Sequence, residues 1–373
     1  MPRRIAKRIG LAILGTTALL VALACVGLGF RAYRQHIAAG VLAIHSANGV
    51  QEAGFVDIGG IKQWVQIRGE DRNNPVLLFV HGGPGSSTLP ISSGWRPWET
   101  YFTIVQWDQR GTGRTYGATG DAIAPTMTLE QMTRDGIELA EYLRTHLHKD
   151  KIILVGHSWG SFLGVNIVKQ RPDMFYAYVG TGQVVGRATF EKSFEIKIAH
   201  LQASALATSN AAALAELSPI ASRPVLNDAN RLAAEKWSKA LALPSADSFE
   251  LVAPIPPVFM PDFSLLDWYN WSKGMAFSAK YLRGREGPMF QHDLASLGFE
   301  FPLPMILIEG DKDDITPSEP AERYFEQIVA PHKEFISIHG GDHFIPFDRP
   351  DRFLTELVTH VRRFAHPPSA GPR

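Results

Sequence analysis

Ser158 stands in Gly156-His157-Ser158-Trp159-Gly160, and an apolar run, Ile152-Ile153-Leu154-Val155, leads straight into it. The residues from Ser161 to Gln170 read as a helix. A serine between a strand and a helix, flanked by glycines, occupies a turn too tight for side chains, which lifts its hydroxyl clear of the sheet edge. Such a hydroxyl attacks a carbonyl only when a base takes its proton, and the base needs a carboxylate to hold its tautomer. Both partners belong in loops after later strands. His343, in Gly340-Gly341-Asp342-His343-Phe344, follows the apolar run 334–338 and is the expected base. Gly310-Asp311-Lys312-Asp313-Asp314-Ile315-Thr316-Pro317 follows the run 305–308. Asp313 has the favoured offset there; Asp311 and Asp314 are the alternatives, and Asp342 is placed to cap its own turn.

A nucleophile also needs donors for the negative charge that develops on the attacked carbonyl oxygen. His81-Gly82-Gly83-Pro84-Gly85 closes the run Pro75–Val80, and a Gly-rich turn there presents backbone N–H groups. Gly83 N–H, with Gly82 as the alternative, pairs with the N–H of Trp159 as an oxyanion hole. His81 and His157 lie within the turn motifs and read as structural; His292, His332 and His360 lack a strand-end context and read as surface residues.

These turns require a sheet to carry them. Phe55–Ile58 and Ile61–Ile67, joined by Gly59-Gly60, read as a hairpin. The apolar runs 75–80, 102–107, 152–155, 176–179, 305–308 and 334–338 read as buried parallel strands. Helical patterns fill the gaps: Thr128–His148, opened by a capping box at Thr128-Leu129-Glu130-Gln131, then Pro320–Val329 and Arg352–Phe364. Alternation of this kind predicts an α/β fold, a mostly parallel sheet flanked by helices on both faces. Between residues 183 and 300 the alternation stops; Phe190–Leu217, Asn227–Leu243 and an aromatic stretch at Trp268–Trp271 predict a helical cap over the sheet's carboxyl edge. The expected division is residues 1–36, a first core part 50–182, the cap 183–300 and a second core part 301–366.

The N-terminus differs in kind. Arg3, Arg4, Lys7 and Arg8 precede an uncharged stretch from Gly10 to Phe30, closed by Arg31 and Arg34. As a helix it spans about 31 Å, a bilayer core. An uncleaved transmembrane anchor is expected, with residues 35–50 as a short, partly helical tether. Four basic residues before the span and two after it put the N-terminus in the cytoplasm and the rest of the chain outside it. Ala22-Leu23-Ala24 offers the alternative, export after signal cleavage. Net charge is zero, with no basic stripe in the body, so no nucleic-acid partner is expected. The one cysteine, Cys25, lies in the apolar run, which excludes a disulfide, a thiol nucleophile or a cysteine metal site from the globular part.

The His81–Gly85 turn, Asp108-Gln109-Arg110-Gly111-Thr112-Gly113-Arg114-Thr115 and the Gly156–Gly160 turn, in this order, resemble the proline iminopeptidase branch of the α/β-hydrolase superfamily. Thr115 stands where that branch usually has serine. The resemblance implies an α/β-hydrolase fold with a helical cap, no metal or organic cofactor, and Ser158, Asp313 and His343 as a triad. It implies aminopeptidase activity on short peptides, proline above all, through an acyl-enzyme. The alternatives are an esterase or amidase for small acyl compounds and, from another class, a non-catalytic binding protein. An aminopeptidase must hold a free α-ammonium, which the family does with cap glutamates; Glu191 and Glu195, one helical turn apart, are the candidates. Epoxide- and haloalkane-opening relatives carry aspartate at the elbow, where this chain has Ser158.

Overall fold

The structure is a computed structural model and describes residues 2–242, 251–261 and 263–365. Leu243 and His366, at the ends of two expected segments, lie outside these residues.

Eight strands form one sheet: β1 (Val50–Ile58), β2 (Ile61–Gly69), β3 (Val76–Val80), β4 (Thr103–Asp108), β5 (Ile152–His157), β6 (Phe175–Thr181), β7 (Met305–Gly310) and β8 (Lys333–Ile338). Their order is β1-β2-β4-β3-β5-β6-β7-β8. β1 and β2 are an antiparallel hairpin, turned at Gly59 and Gly60 with φ of +57° and +74°, and β2 meets β4 antiparallel; all further pairs are parallel. The central strands read as unbroken apolar runs because both their faces are covered. Leu78, Leu154 and Leu307 point to one layer, while Phe79, Val155 and Ile308 point to the other. Each such side chain contributes roughly 1.5–3 kcal/mol by burial.

The helices sort by layer. α1 (Pro2–Leu42) and the short α2 (Gly113–Thr119) precede α3 (Leu129–His146) and α4 (Trp159–Gln170). α3 and α4 bury Met132, Leu139, Phe162 and Leu163 on the first face. Trp95, Trp98, Phe353 and Leu357 cover the second. The box expected at Thr128 is half formed. Thr128 accepts from Gln131 N at 3.2 Å, but the Gln131 side chain donates instead to Asp135, 2.7 Å away, because Asp135 is buried against Arg110 and gains more from the donor.

Between β6 and β7 the chain leaves the sheet. α5 (Arg187–Ala207), α6 (Ala211–Ser222) and α7 (Asp228–Ala240) enclose a small core of their own, with Phe194, Ile198, Leu217 and Trp237. α8 (Leu265–Leu282) packs instead on α2 and on the turn after β3. α9 (Pro288–Gln291) leads back toward the sheet, and α10 (Ser318–Gln327) joins β7 to β8.

α1 is longer than the sequence suggests. Among the described residues it is the one helix with the length and hydropathy to cross a membrane, and its side chains from Leu11 to Phe30 are exposed. Of the expected tether, residues 35–50, the first part to Leu42 is helical in keeping with its partly helical reading, but it docks together with residues 31–34 rather than standing free. Ala38 is buried with Leu89, Ile255, Met260 and Phe263, and Gln35 Nε2 donates to Met260 O at 2.7 Å. Packing on Ile255, Met260 and Phe263 gives this stretch a partner, which keeps it helical.

Candidate active site

Ser158 sits between β5 and α4 with φ +55° and ψ −122°, a backbone that a non-glycine residue adopts at a cost of about 1–3 kcal/mol. The flanking glycines make the turn possible. A Cβ at Gly160 would lie 1.9 Å from Val80 O, and one at Gly156 2.4 Å from Gly160 O. Ser158 N donates to Thr181 O at 3.0 Å, which ties the turn to the end of β6.

The loops after β7 and β8 meet behind this turn. His343 Nδ1 lies 2.8 Å from Asp313 Oδ2, both side chains buried. Asp313 also accepts from Ile315 N at 2.9 Å, Thr316 N at 2.7 Å and Thr316 Oγ1 at 2.7 Å. Burial pushes the Asp313 carboxyl up, but His343 and the Thr316 donors outweigh it and hold it below the usual aspartate range. The alternative acids point elsewhere: Asp311 to His339 at 2.8 Å, and Asp314 to His200 at 3.6 Å. Asp342 accepts from Phe344 N at 2.7 Å and so caps its own turn.

His343 is held against the elbow on two sides. His157 Nε2 donates to His343 O at 2.8 Å, and the two rings lie 4.8 Å apart. A Cβ at Gly182 would lie 2.9 Å from His343 Cε1. Ser158 Oγ makes no hydrogen bond to His343 here; nucleophile–base bonds are often long before substrate binds and tighten on attack. Burial alone pushes His81 down to about 4 and, with the His343 charge as second cause, His157 down to about 3, so both are neutral.

The turn after β3 closes over the serine. A Cβ on Gly82 would lie 2.9 Å from Ser158 Cβ. Gly82 O faces into the turn, accepting from Ser86 N at 3.1 Å and from His81 Nδ1 at 2.9 Å. The N–H of Gly83 points the opposite way across the same planar peptide. Gln109 joins this turn to the elbow: Nε2 donates to His81 O and Oε1 accepts from Trp159 Nε1, each at 3.0 Å. The segment carrying Gln109 is pinned by Arg110, which is buried and makes a two-pronged pair with Asp135 at 2.7 and 3.0 Å. Thr115, which stands where the resembling branch usually has serine, uses its hydroxyl twice: it donates to Asp108 O at 2.6 Å and accepts from Trp64 N at 2.9 Å.

The expected ammonium ligands are not gathered. Glu191 and Glu195 are exposed on α5 and pair with Arg187 at 2.7 Å and Lys192 at 3.1 Å. Trp268 and Trp271 pack on each other, and Trp271 Nε1 donates to Ser87 O at 3.0 Å, bracing the turn after β3. A cavity of about 270 Å³ bounded by Leu42, Arg68, Trp95 and Glu99 contains none of the triad residues.

Three residues gained roles that the sequence reading did not assign. Thr316 links Asp313 and His343 and was foreshadowed only by its place three residues after an aspartate, a turn-forming spacing. Gln109 lay inside a recognised motif without a stated task. Glu309, fully buried on β7, accepts from Gln183 N at 3.1 Å and so fixes the backbone beside His343. Burial, then the Asp313 charge, pushes its carboxyl well up, which favours the neutral form. No sequence signal marked it.

Sheet order, elbow and the loops that follow β7 and β8 together define the α/β-hydrolase architecture. A sequence model of the alpha/beta hydrolase family matches residues 77–356, and the chain belongs to that family. It is similar to a Bacillus subtilis protein named as a probable aminopeptidase, 28% identical over 82% of this chain and 95% of that relative. A probable proline iminopeptidase of Leptolyngbya boryana is 29% identical over a shorter stretch, 33% of this chain and 36% of the relative. Among solved structures, proline iminopeptidase from Mycobacterium smegmatis superposes with a TM-score of 0.58 at 18% identity, covering 84% of this chain and 98% of that one.

Proposed function

We propose that this hydrolase works through an acyl-enzyme on Ser158 and releases N-terminal residues, proline above all, from short peptides. The observation that carries the chemistry is the Asp313–Thr316–His343 hydrogen-bonded set beside a serine held at positive φ. In the reaction His343 takes the proton of Ser158 Oγ as the oxygen attacks the carbonyl carbon. Asp313 accepts from His343 Nδ1–H, fixing the tautomer and stabilising the imidazolium. The N–H groups of Gly83 and Trp159 receive the oxyanion, each worth roughly 2.7–4 kcal/mol. His343 then protonates the leaving amine, and water that it activates hydrolyses the ester left on Ser158.

The peptidase reading is supported by the near full-length similarity to the Bacillus subtilis protein. Substrate choice falls to the cap, residues 183–300. One observation favours a second reading, an esterase or amidase for small acyl compounds: both candidate cap glutamates are already paired on their own helix. The test compares, in the full chain, turnover of a chromogenic proline amide, its N-acetylated form and a short-chain aryl ester, with Ser158→Ala as blank. Preference for the free-amine amide is expected. Hydrolysis of the ester alone, or indifference to the blocked amine, would replace the peptidase reading with the second one.

We also read α1 as an uncleaved anchor with the catalytic domain outside the cytoplasm. Its docked residues 31–42 support this, because a leader removed near Cys25 has no need of a helix continuous with a docked segment.

A further inference from the structure

Five of the eleven large hydrophobic side chains exposed outside α1, among the described residues, fall between Val252 and Tyr269. Four of them, Val258 (45% exposed), Leu265 (56%), Leu266 (65%) and Tyr269 (57%), flank the point where α1 meets the domain. Leu265, Leu266 and Tyr269 are spaced by three and four residues at the start of α8 and so share one face. An exposed apolar patch of this kind marks an interaction surface.

The height of that patch is set by α1. The apolar run ends at Phe30, and the next residues grip the cap: Phe30 packs edge-on against Phe259 at 5.8 Å. Arg31 Nε donates to Val258 O at 3.1 Å, and its Nη2 donates to Phe263 O. Arg34 lies over the Phe259 ring at 4.7 Å, and Gln35 Nε2 donates to Phe263 O at 3.0 Å. At 1.5 Å rise per residue, Val258–Met260 and Phe263 therefore stand within about 8 Å of the end of the apolar run. That is roughly the depth of a headgroup layer, where aliphatic and tyrosine side chains partition and basic ones meet lipid phosphates. The rim has the matching charge: Arg34 over Phe259, and Lys273 near the Tyr269 ring at 5.6 Å.

We propose that the start of α8, residues 258–261 and Phe263 form a lipid-seated collar, with Val258, Leu265, Leu266 and Tyr269 inserted among the headgroups of the bilayer that α1 crosses. The proposal rests on the anchor reading of α1. It has a consequence for the site, because α8 also braces the turn after β3. Ser278 Oγ donates to Gly111 O at 2.9 Å, and a Cβ on Gly85 would lie 2.8 Å from Ser278 Cβ. One rigid helix thus links the bilayer surface to the turn that carries Gly83, and the cleft is held at a set height above the membrane.

The test uses the full chain with Cys25→Ser, reconstituted in phosphatidylcholine–phosphatidylglycerol vesicles. Single cysteines at Leu20→Cys, Leu266→Cys and Leu206→Cys carry an environment-sensitive dye, read with phospholipids bearing a quencher at the headgroup or mid-chain. Leu206 is as exposed as Leu266 but lies at the end of α5 and serves as the reference. Headgroup quenching at position 266 is expected to exceed that at 206 by at least about twofold, with position 20 quenched from mid-chain. If 266 is as wet as 206 while 20 is quenched, the anchor stands and the collar is wrong. If 266 is dry but unquenched by either lipid, protein covers the patch and the collar is equally wrong. If 20 is wet, the anchor reading falls and the collar with it.

Discussion

Thr316 joins the acid and the base through one hydroxyl, donating to Asp313 at 2.7 Å with His343 Nδ1 at 2.9 Å. Thr316→Val keeps the shape and removes that link; kcat is expected to fall about tenfold with KM unchanged, and Thr316→Ser to restore most of it. Ser158→Ala and His343→Ala should each lower kcat by roughly 10⁴-fold or more while thermal unfolding shows an intact fold. Activity persisting in either variant would overturn the assignment. His157 and His81 predict a pH dependence of stability. Both are neutral in the fold, at about 3 and about 4, whereas the unfolded chain takes up their protons near 6.5. Their contribution is therefore present above about pH 6.5 and lost as pH falls toward 4. Asp108, raised by burial to about 6 from 3.8, acts in the opposite sense: its contribution is full below 3.8 and lost as pH rises through 6. Asp348, raised by burial to about 6, and Glu309, pushed well up by burial, act with Asp108, so the histidine contribution is read as a difference: as pH falls from 6.5 to 4, the urea midpoint of His157→Gln should rise relative to that of the parent chain.

At the scale of elements, the elbow works because α4 begins directly against β3. Gly160→Ala would set a methyl 1.9 Å from Val80 O, where backbone cannot yield. A loss of at least about 3 kcal/mol, or failure to yield soluble folded protein, is expected from denaturant titration. Gly40 gives the opposite sign. It lies in the last turns of α1 with nothing near its missing Cβ, so Gly40→Ala should stabilise docking by about 0.5–1 kcal/mol. The strands and the elbow were legible in the sequence because each depends on neighbours a few residues away: unbroken apolar runs for buried strands, paired glycines for tight turns. The half-formed cap at Thr128 was not, because the competing partner of Gln131, Asp135, owes its demand to Arg110 from another segment.

At the scale of the whole molecule, α1 is part of the domain rather than a leash. Removing residues 2–30 should leave a protein whose melting temperature exceeds that of one cut at residue 43. The shorter cut keeps the Arg31, Gln35 and Ala38 contacts with Ile255, Val258, Met260 and Phe263. Equal melting temperatures would mean that the docked turns add nothing.

Taken alone, the sequence determined the class of sheet, the order of its turns, and the identity of Ser158, Asp313 and His343 as candidates, since local spacing dictates strand ends and loop residues. Which aspartate faces His343, the linking roles of Thr316 and Gln109 and the buried Glu309 were decided only by tertiary structure. Each depends on segments that are distant in the chain and meet only when both faces of the sheet are buried, whereas Glu191 and Glu195 pair with residues four and three positions away on their own helix.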